Sequence, residues 1–475
     1  MFSGRSLGIN FFPSYEFVNL KTLEPAEPRK CRPASDPPAN KIVANNSIAN
    51  HSDAEPAASV PVGEIADQPS KPVSRFVGSA WEPLTIPLYR AFWIASFASN
   101  LGTWIHEIGA GWLMASLDPS PQMVAAVRTA MTLPIVFLAI PVGVIGDRID
   151  RRRLLILTQL ILFSATASLA TLTLSGIITA WMLLGLTVLM GVGMVIHVPI
   201  WQASVPELVP KKQLSRAVAL GSISFNLARA VGPAIGGLLI AAAGPWIAFA
   251  ANALSFACVL SVLFAWKRER SESTRGLSFQ RSLYQGLRFV TRNRSMRHVL
   301  IGVVLFILPA GALWSLLPLI AKQHLNWGAS GFGFLVGCVG VGAVSAAAIL
   351  PRLQLRFGID RTIAFAMAGF ATGLCLLGMT THVVLITAAT LAMGASWMIV
   401  LTSLNATAQV ILPGRLRARG MGCYLTAMAL SMSVGSIVWG RFAEITSVPH
   451  AQIAAAMLLF VFAGLSLKFA VGNHL

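Results

Sequence analysis

The sequence predicts an all-α membrane protein: twelve transmembrane helices in two six-helix halves. Three observations predict it. First, apolar residues make up 55% of the 475 residues and Asp, Glu, Lys and Arg only 11%, with a mean hydropathy of +0.70. A soluble domain carries about twice that share of charge. Second, from residue 88 onward long apolar stretches alternate with short interruptions. Third, basic residues recur in every second interruption. The composition excludes an ordinary soluble enzyme and a disordered chain. It also changes the meaning of the net charge of +18, which in a soluble protein would suggest nucleic acid.

A membrane span takes about 20 apolar residues. Twelve such stretches fall at 90–115, 123–146, 154–174, 179–201, 216–243, 246–266, 298–320, 331–350, 362–380, 383–411, 420–443 and 450–471. The loops on one side carry Arg148 and Arg151 to Arg153, then Lys211, Lys212 and Arg216, then the basic run 267–297. Further on they carry Arg352, Arg356 and Arg361, then Arg415, Arg417 and Arg419. The opposite side holds little beyond Lys322, with Arg441 near a helix end. The positive-inside rule therefore predicts a multi-pass protein with both termini in the cytoplasm. Trp112, Trp181, Trp201, Trp246 and Trp266 fall near span ends, where an aromatic belt is expected.

The predicted organisation is a disordered cytoplasmic tail over 1–85, a six-helix bundle over 86–266, a linker loop over 267–297 and a second bundle over 298–475. Residues 1–80 hold ten prolines and no long apolar run. It lacks the apolar core of a signal peptide, and it reads equally as a regulatory arm or as the product of an upstream start codon. Two six-helix halves around a central loop are a transporter pattern, with the substrate path between them. The five cysteines sit singly, so neither disulfides nor a metal centre are expected. No phosphate-binding Gly-x-x-x-x-Gly-Lys-Ser/Thr run and no hydrolase motif is present. The expectations are no enzyme, no cofactor, no nucleic-acid partner and a monomer.

The most specific motif follows the second span: Gly143-Val-Ile-Gly-Asp147-Arg148-Ile-Asp150-Arg151-Arg152-Arg153. The fifth span carries Asn226-Leu-Ala-Arg229-Ala-Val-Gly232-Pro233-Ala-Ile-Gly236-Gly237. The first motif resembles the loop signature of the major facilitator superfamily, with Asp150 in place of the usual second glycine. The second resembles the antiporter motif of exporters in that superfamily. Asn100-Leu-Gly102-Thr-Trp104 and the stretch from Pro199 to Pro210 extend the likeness to the branch of the enterobactin exporter and related bacterial secretion and efflux proteins. The resemblance implies a twelve-helix exporter in a bacterial inner membrane. It implies a cytoplasmic latch formed by Gly143, Asp147, Arg148, Arg151 and Arg152, and a hinge in the fifth helix at Gly232, Pro233, Gly236 and Gly237. In the second half, 351–361 keeps the basic residues but has Leu355 where the latch aspartate would fall.

Charges inside a span are costly, so each needs a reason. Glu107 is the only acidic residue well inside one, and Arg128 falls at a matching depth in the next span. They read equally as a permanent ion pair or as a proton site. Arg229, near the middle of the fifth span, reads as a substrate or coupling residue, or as a structural partner for carbonyls freed by Pro233. His106 and Asn226 complete the coupling and substrate candidates. His197 and Gln409 are weaker ones, and Trp104, Trp314 and Trp397 are candidate linings of an apolar path. The resulting expectation is a secondary transporter that exports an amphipathic small molecule by proton antiport with alternating access. The alternatives are a siderophore-type exporter with a narrow anionic substrate, and a non-transporting receptor or assembly factor on the same fold.

Overall fold

The structure is a computed structural model that describes residues 79–146, 150–267, 288–413 and 416–469. Twelve long helices occur among the described residues, one for each predicted span. They are α1 (Pro87–Leu117), α2 (Pro121–Gly146), α3 (Arg151–Leu174), α4 (Ala180–Leu208), α5 (Leu214–Ala243) and α6 (Trp246–Ala265). Then follow α7 (Arg294–Leu319), α8 (Ala329–Phe357), α9 (Ile359–Met379), α10 (Val383–Ile411), α11 (Arg417–Ile445) and α12 (Val448–Ser466). Eleven of the twelve are long and apolar enough to cross a membrane by composition alone. The exception is α1, which carries Asn100, His106 and Glu107.

Several helices run past their apolar stretch. α4 continues to Leu208 through Pro206, and α8 to Phe357 through Pro351. Hydropathy marks where apolar side chains end, whereas the helix ends where its backbone bonds end. The starts are capped by side chains: Asp150 accepts from the Arg153 amide, Thr179 from Met182, Asn293 from Met296 and Ser447 from His450. Asp150, the departure from the superfamily signature, is thus the N-cap of α3. Gly244 and Gly358 follow α5 and α8 at φ 90° and 77°, a left-handed conformation that suits glycine.

Successive helices are antiparallel, so the basic loops gather at one end, called here the basic end. Packing is extensive within α1–α6 and within α7–α12, and the two sets meet chiefly along α2 with α11 and α5 with α8. At the basic end the first set is tied by polar bonds. Arg151 donates to the Ala203 carbonyl and to Glu207, at 2.9 and 2.8 Å. Arg152 donates to the Leu263 and Phe264 carbonyls at 2.9 and 3.0 Å, capping the C-terminus of α6. Glu82, placed in the tail by sequence, lies in a turn over Glu82–Thr85 and pairs with Arg216 of α5. Trp201 and Trp266 do not face outward as a belt would. They close on Phe92 at 5.1 and 5.2 Å, because a ring at the span end gains more from stacking here than from the interface.

The two sets seal at the opposite end and separate toward the basic end. Lys322, in a single π turn over Ile320–His324, donates to the Ala115 carbonyl and the Ser116 hydroxyl at 2.8 and 3.0 Å. Its ammonium lies 5.5 Å from the Trp112 ring, which stacks on Phe332. Thr132 bonds Ser433 at 2.8 Å one layer deeper. α5 records the splay directly. Gly236 and Gly237 are buried against α1 and α8. Val218 and Ala219, on the same face about five turns toward the basic end, are exposed.

Candidate substrate and coupling site

Close packing of glycines brings the charged face of α1 to the centre. Gly109 of α1 sits against Ala248 and Phe249 of α6, and Gly232 and Gly236 of α5 sit against Trp104 and Ile105 of α1. With two faces of α1 so occupied, Trp104 and Glu107 line the cleft between the helix sets. Glu107 forms an ion pair with Arg128 of α2, and both side chains keep partial exposure, 28% and 19%. The Arg128 guanidinium also lies 5.3 Å from the centre of the Trp314 ring on α7. The pair predicted from matching depth is therefore formed, and it faces the cleft.

Two cavities meet at this pair. The central one has a cavity volume of about 110 Å³ and is lined by Trp104, Glu107, Arg128, Arg229, Trp314 and Trp397, with Val336, Val339, Gly340, Ala343 and Met432. The other has a cavity volume of about 50 Å³ and reaches toward the sealed end past His106, Thr187, Ser315 and Phe332. Glu107, Arg128 and Trp314 line both. All three tryptophans named from sequence thus share one cavity with all three intramembrane charges.

Arg229 has no carboxylate partner among the described residues. Its nearest recorded polar contact is the Met398 thioether, 4.0 Å from Nη2, and its Nε is buried without a partner. The backbone beside it is pressed against α8: a methyl group at Gly340 would lie 2.7 Å from the Arg229 carbonyl oxygen. Trp314 Nε1 is likewise buried without a partner. His106 is 2% exposed, stands edge-on to Phe249 at 4.9 Å, and finds no partner for either ring nitrogen.

Other candidates fall away from the cavities. Asn226 donates to the Ser222 carbonyl of its own helix. His197 bonds Gln159 of α3 and stacks near Trp201, and Gln409 bonds Asn405 one turn away. Asp147 and Arg148 of the latch motif lie outside the described residues, and Gly143 lies in the last turn of α2. Arg151 and Arg152 bond α4 and α6, so their contacts are within the first six helices. Of the hinge glycines, Gly232 and Gly236 face α1 while Gly237 meets Ala329 and Gly333 of α8. Sequence reasoning missed Met398 and Met432, since methionines in apolar helices carry no signal. It also missed the seal at Lys322, whose partner is a backbone carbonyl. No cluster of residues able to hold a metal ion occurs among the described residues.

A twelve-helix bundle with a charged, tryptophan-lined cavity between two helix sets defines a membrane transport protein. A profile of the transmembrane secretion effector family matches residues 78–474, and the chain belongs to that family of the major facilitator superfamily. It is a multi-pass secondary transporter, not an enzyme. It is 25% identical to the staphyloferrin A transporter of Staphylococcus aureus, over 62% of this chain and 74% of that one. It is 25% identical to the MFS-type transporter YfiS of Bacillus subtilis, over 76% and 88%. It is 22% identical to macrolide efflux protein A of Streptococcus pyogenes, over 50% and 60%. Among solved structures, the nucleoside transporter NupG matches with a TM-score of 0.65 at 13% identity, over 80% of this chain and 99% of that one. A bacterial homologue of the iron transporter ferroportin, in its inward-facing state, matches with a TM-score of 0.61 at 15% identity, over 80% and 99%. These two likenesses show the fold.

Proposed function

We propose that the protein exports an amphipathic small molecule across a bacterial inner membrane by proton antiport. The observation that carries this reading is the ion pair of Glu107 and Arg128, which lines both cavities on the path between the helix sets. With the basic loops in the cytoplasm, as the positive-inside rule requires, the cleft described above faces the cytoplasm and the seal at Lys322 faces outward. Glu107 is then charged and paired in the cytoplasm-open state. A proton arriving from the outer side neutralises it and releases Arg128 from its partner. Loss of that bond favours the opposite packing of the two halves, and the proton leaves when the cleft reopens inward.

The efflux-type relatives support the direction of transport. In this reading the two bundles move as units, the monomer is the working form, and α5 bends at Gly232, Pro233, Gly236 and Gly237. The loop after α2, whose motif includes Asp147 and Arg148, serves as the latch. The cargo is identified by comparing extracellular metabolites and drug susceptibility of a deletion strain with its parent. Glu107→Gln is then assayed in membrane vesicles with an imposed pH gradient. Proton-driven transport falls by at least about a hundredfold, the scale of losing a positioned proton carrier, while exchange at equal pH persists. Unchanged gradient-driven transport at normal expression removes Glu107 from coupling.

A further inference from the structure

Four features of the central cavity point to the chemical class of its ligand. The charge inventory is unbalanced: Arg128 and Arg229 face it with Glu107 as the only carboxylate among its lining residues. Glu107 is taken by Arg128, so one positive charge has no protein counter-ion among the described residues. The orphaned polar atoms are all of one kind. Arg229 Nε and Trp314 Nε1 are both N–H donors, buried and without acceptors. A ligand rich in acceptors satisfies them, and one rich in donors does not. The opposite wall is apolar and aromatic. Trp314 and Trp397 stand edge to face with ring centres 5.4 Å apart, backed by Phe306 at 5.5 Å from Trp397. Finally, these groups are split between the helix sets. The charges belong to α1, α2 and α5, whereas Trp314, Val336, Trp397 and Met432 belong to α7, α8, α10 and α11.

Resting on the exporter reading, we infer that the central cavity is a site for an organic anion with a flat apolar body. The oxyanion head is held by Arg229 and accepts from Trp314 Nε1. The body lies across Trp397 and Met432. Arg229 supplies planar N–H donors that suit a carboxylate, and the mid-membrane position keeps water from competing for them. A neutral ligand leaves the Arg229 guanidinium, whose Nε is buried, without a counter-ion. A cationic ligand adds like charge to a cavity that already has a surplus. The ligand therefore touches both helix sets at once: its head lies between Arg229 of the first and Trp314 of the second, and its body lies on the second. While Glu107 is paired with Arg128 it is unavailable to Arg229, which keeps the anion site vacant until the ligand arrives.

The test uses the purified full chain in nanodiscs at one pH and without a gradient, so that proton coupling does not enter the result. Three probes share one ring system: 1-naphthoate, 1-naphthylmethanol and 1-naphthylmethylammonium. Equilibrium dialysis gives their affinities. The expected result is naphthoate bound at least about tenfold more tightly than the alcohol, the scale of one charge-assisted hydrogen bond, with the ammonium weakest. Arg229→Gln brings the ratio of naphthoate to alcohol close to one, and Arg229→Lys restores most of it. Glu107→Gln raises naphthoate affinity, because removing the carboxylate leaves both guanidinium groups free. Trp397→Leu weakens naphthoate and alcohol alike. Equal affinities for the three probes, no measurable naphthoate binding, or a preference that survives Arg229→Gln overturns the inference. Should Arg229→Gln unfold, the ratio in Arg229→Lys and the sign of the Glu107→Gln effect still decide it. Failure of the gradient assay with a sound anion preference would refute proton coupling alone.

Discussion

The two helix sets are built on different physics. In α1–α6 the membrane interior contains charge: Glu107, Arg128 and Arg229, with the basic end tied by Arg151, Arg152 and the pair of Glu82 and Arg216. In α7–α12 the interior holds none among the described residues. Its centre is an aromatic cluster of Phe306, Phe370, Trp397 and Trp314, and α7 is enclosed so fully that 72% of its apolar stretch is buried, against 22% for α2. The difference teaches a division of labour. One set carries the intramembrane charges found among the described residues. The other sets an apolar, aromatic wall beside them. Between them, Gly333, Gly337 and Gly340 of α8 let the backbone of α5 approach closely, so the seam itself carries few polar bonds.

The sharpest way to break this comparison is to cut into the wall. Phe370 of α9 is fully buried and stands edge-on to Phe306 at 5.3 Å. Phe370→Ala should cost about 3–5 kcal/mol through lost contacts and an unfilled cavity. The readout is thermal unfolding of the purified protein, and a shift no larger than that of a lipid-facing Phe→Ala change would show that the second set does not depend on its aromatic centre. The first set should instead depend on charge balance. Arg128→Gln leaves Glu107 charged and without its partner, and should destabilise by about 2 kcal/mol more than the double change Glu107→Gln with Arg128→Gln. That is below the cost for a wholly buried pair because the two side chains retain 28% and 19% exposure. Equal stability of the single and double variants would make the pair incidental to the fold.

Much of this was legible in the sequence because membrane helices announce themselves by length and composition. All twelve spans were placed, and the pairing of Glu107 with Arg128 followed from depth alone. The same logic could not tell which face each residue presents. Asn226 and Gln409 were plausible at cavity depth, yet both bond within their own helices. Arg152 reads as a latch residue from its motif, but its neighbours are the carbonyls that end α6, and backbone acceptors leave no mark in a sequence. Asp150 was conspicuous only as a departure from a signature, and its capping bond to the Arg153 amide supplies the local reason for it. Arg229 was visible as a charge, but its lack of a counter-ion depends on everything packed around it.

The smallest expected effect concerns the seam rather than either set. Lys322 is the one basic residue at the sealed end that spans the two sets in the described bonds, and it binds α1 twice, through the Ala115 carbonyl and the Ser116 hydroxyl. The carbonyl lies in the last turn of α1, where the helix dipole favours a cation. Trp112 adds its ring face at 5.5 Å. In the proposed cycle these contacts belong to the closed seal, and Lys322 is not among the residues lining the central cavity. Lys322→Met keeps the apolar stem and removes the charge. It should favour the open seal by about 1 kcal/mol, roughly a fivefold rise in its population. A cysteine placed at Thr187, which lines the cavity behind the seal, reports this in a background without the native cysteines. Its labelling by a membrane-impermeant maleimide, added at the end opposite the basic loops, should quicken about fivefold, while Lys322→Arg should hold close to the parent rate. An unchanged rate in Lys322→Met would mean that the glycine seam and the bond of Thr132 with Ser433 hold the two sets together without it.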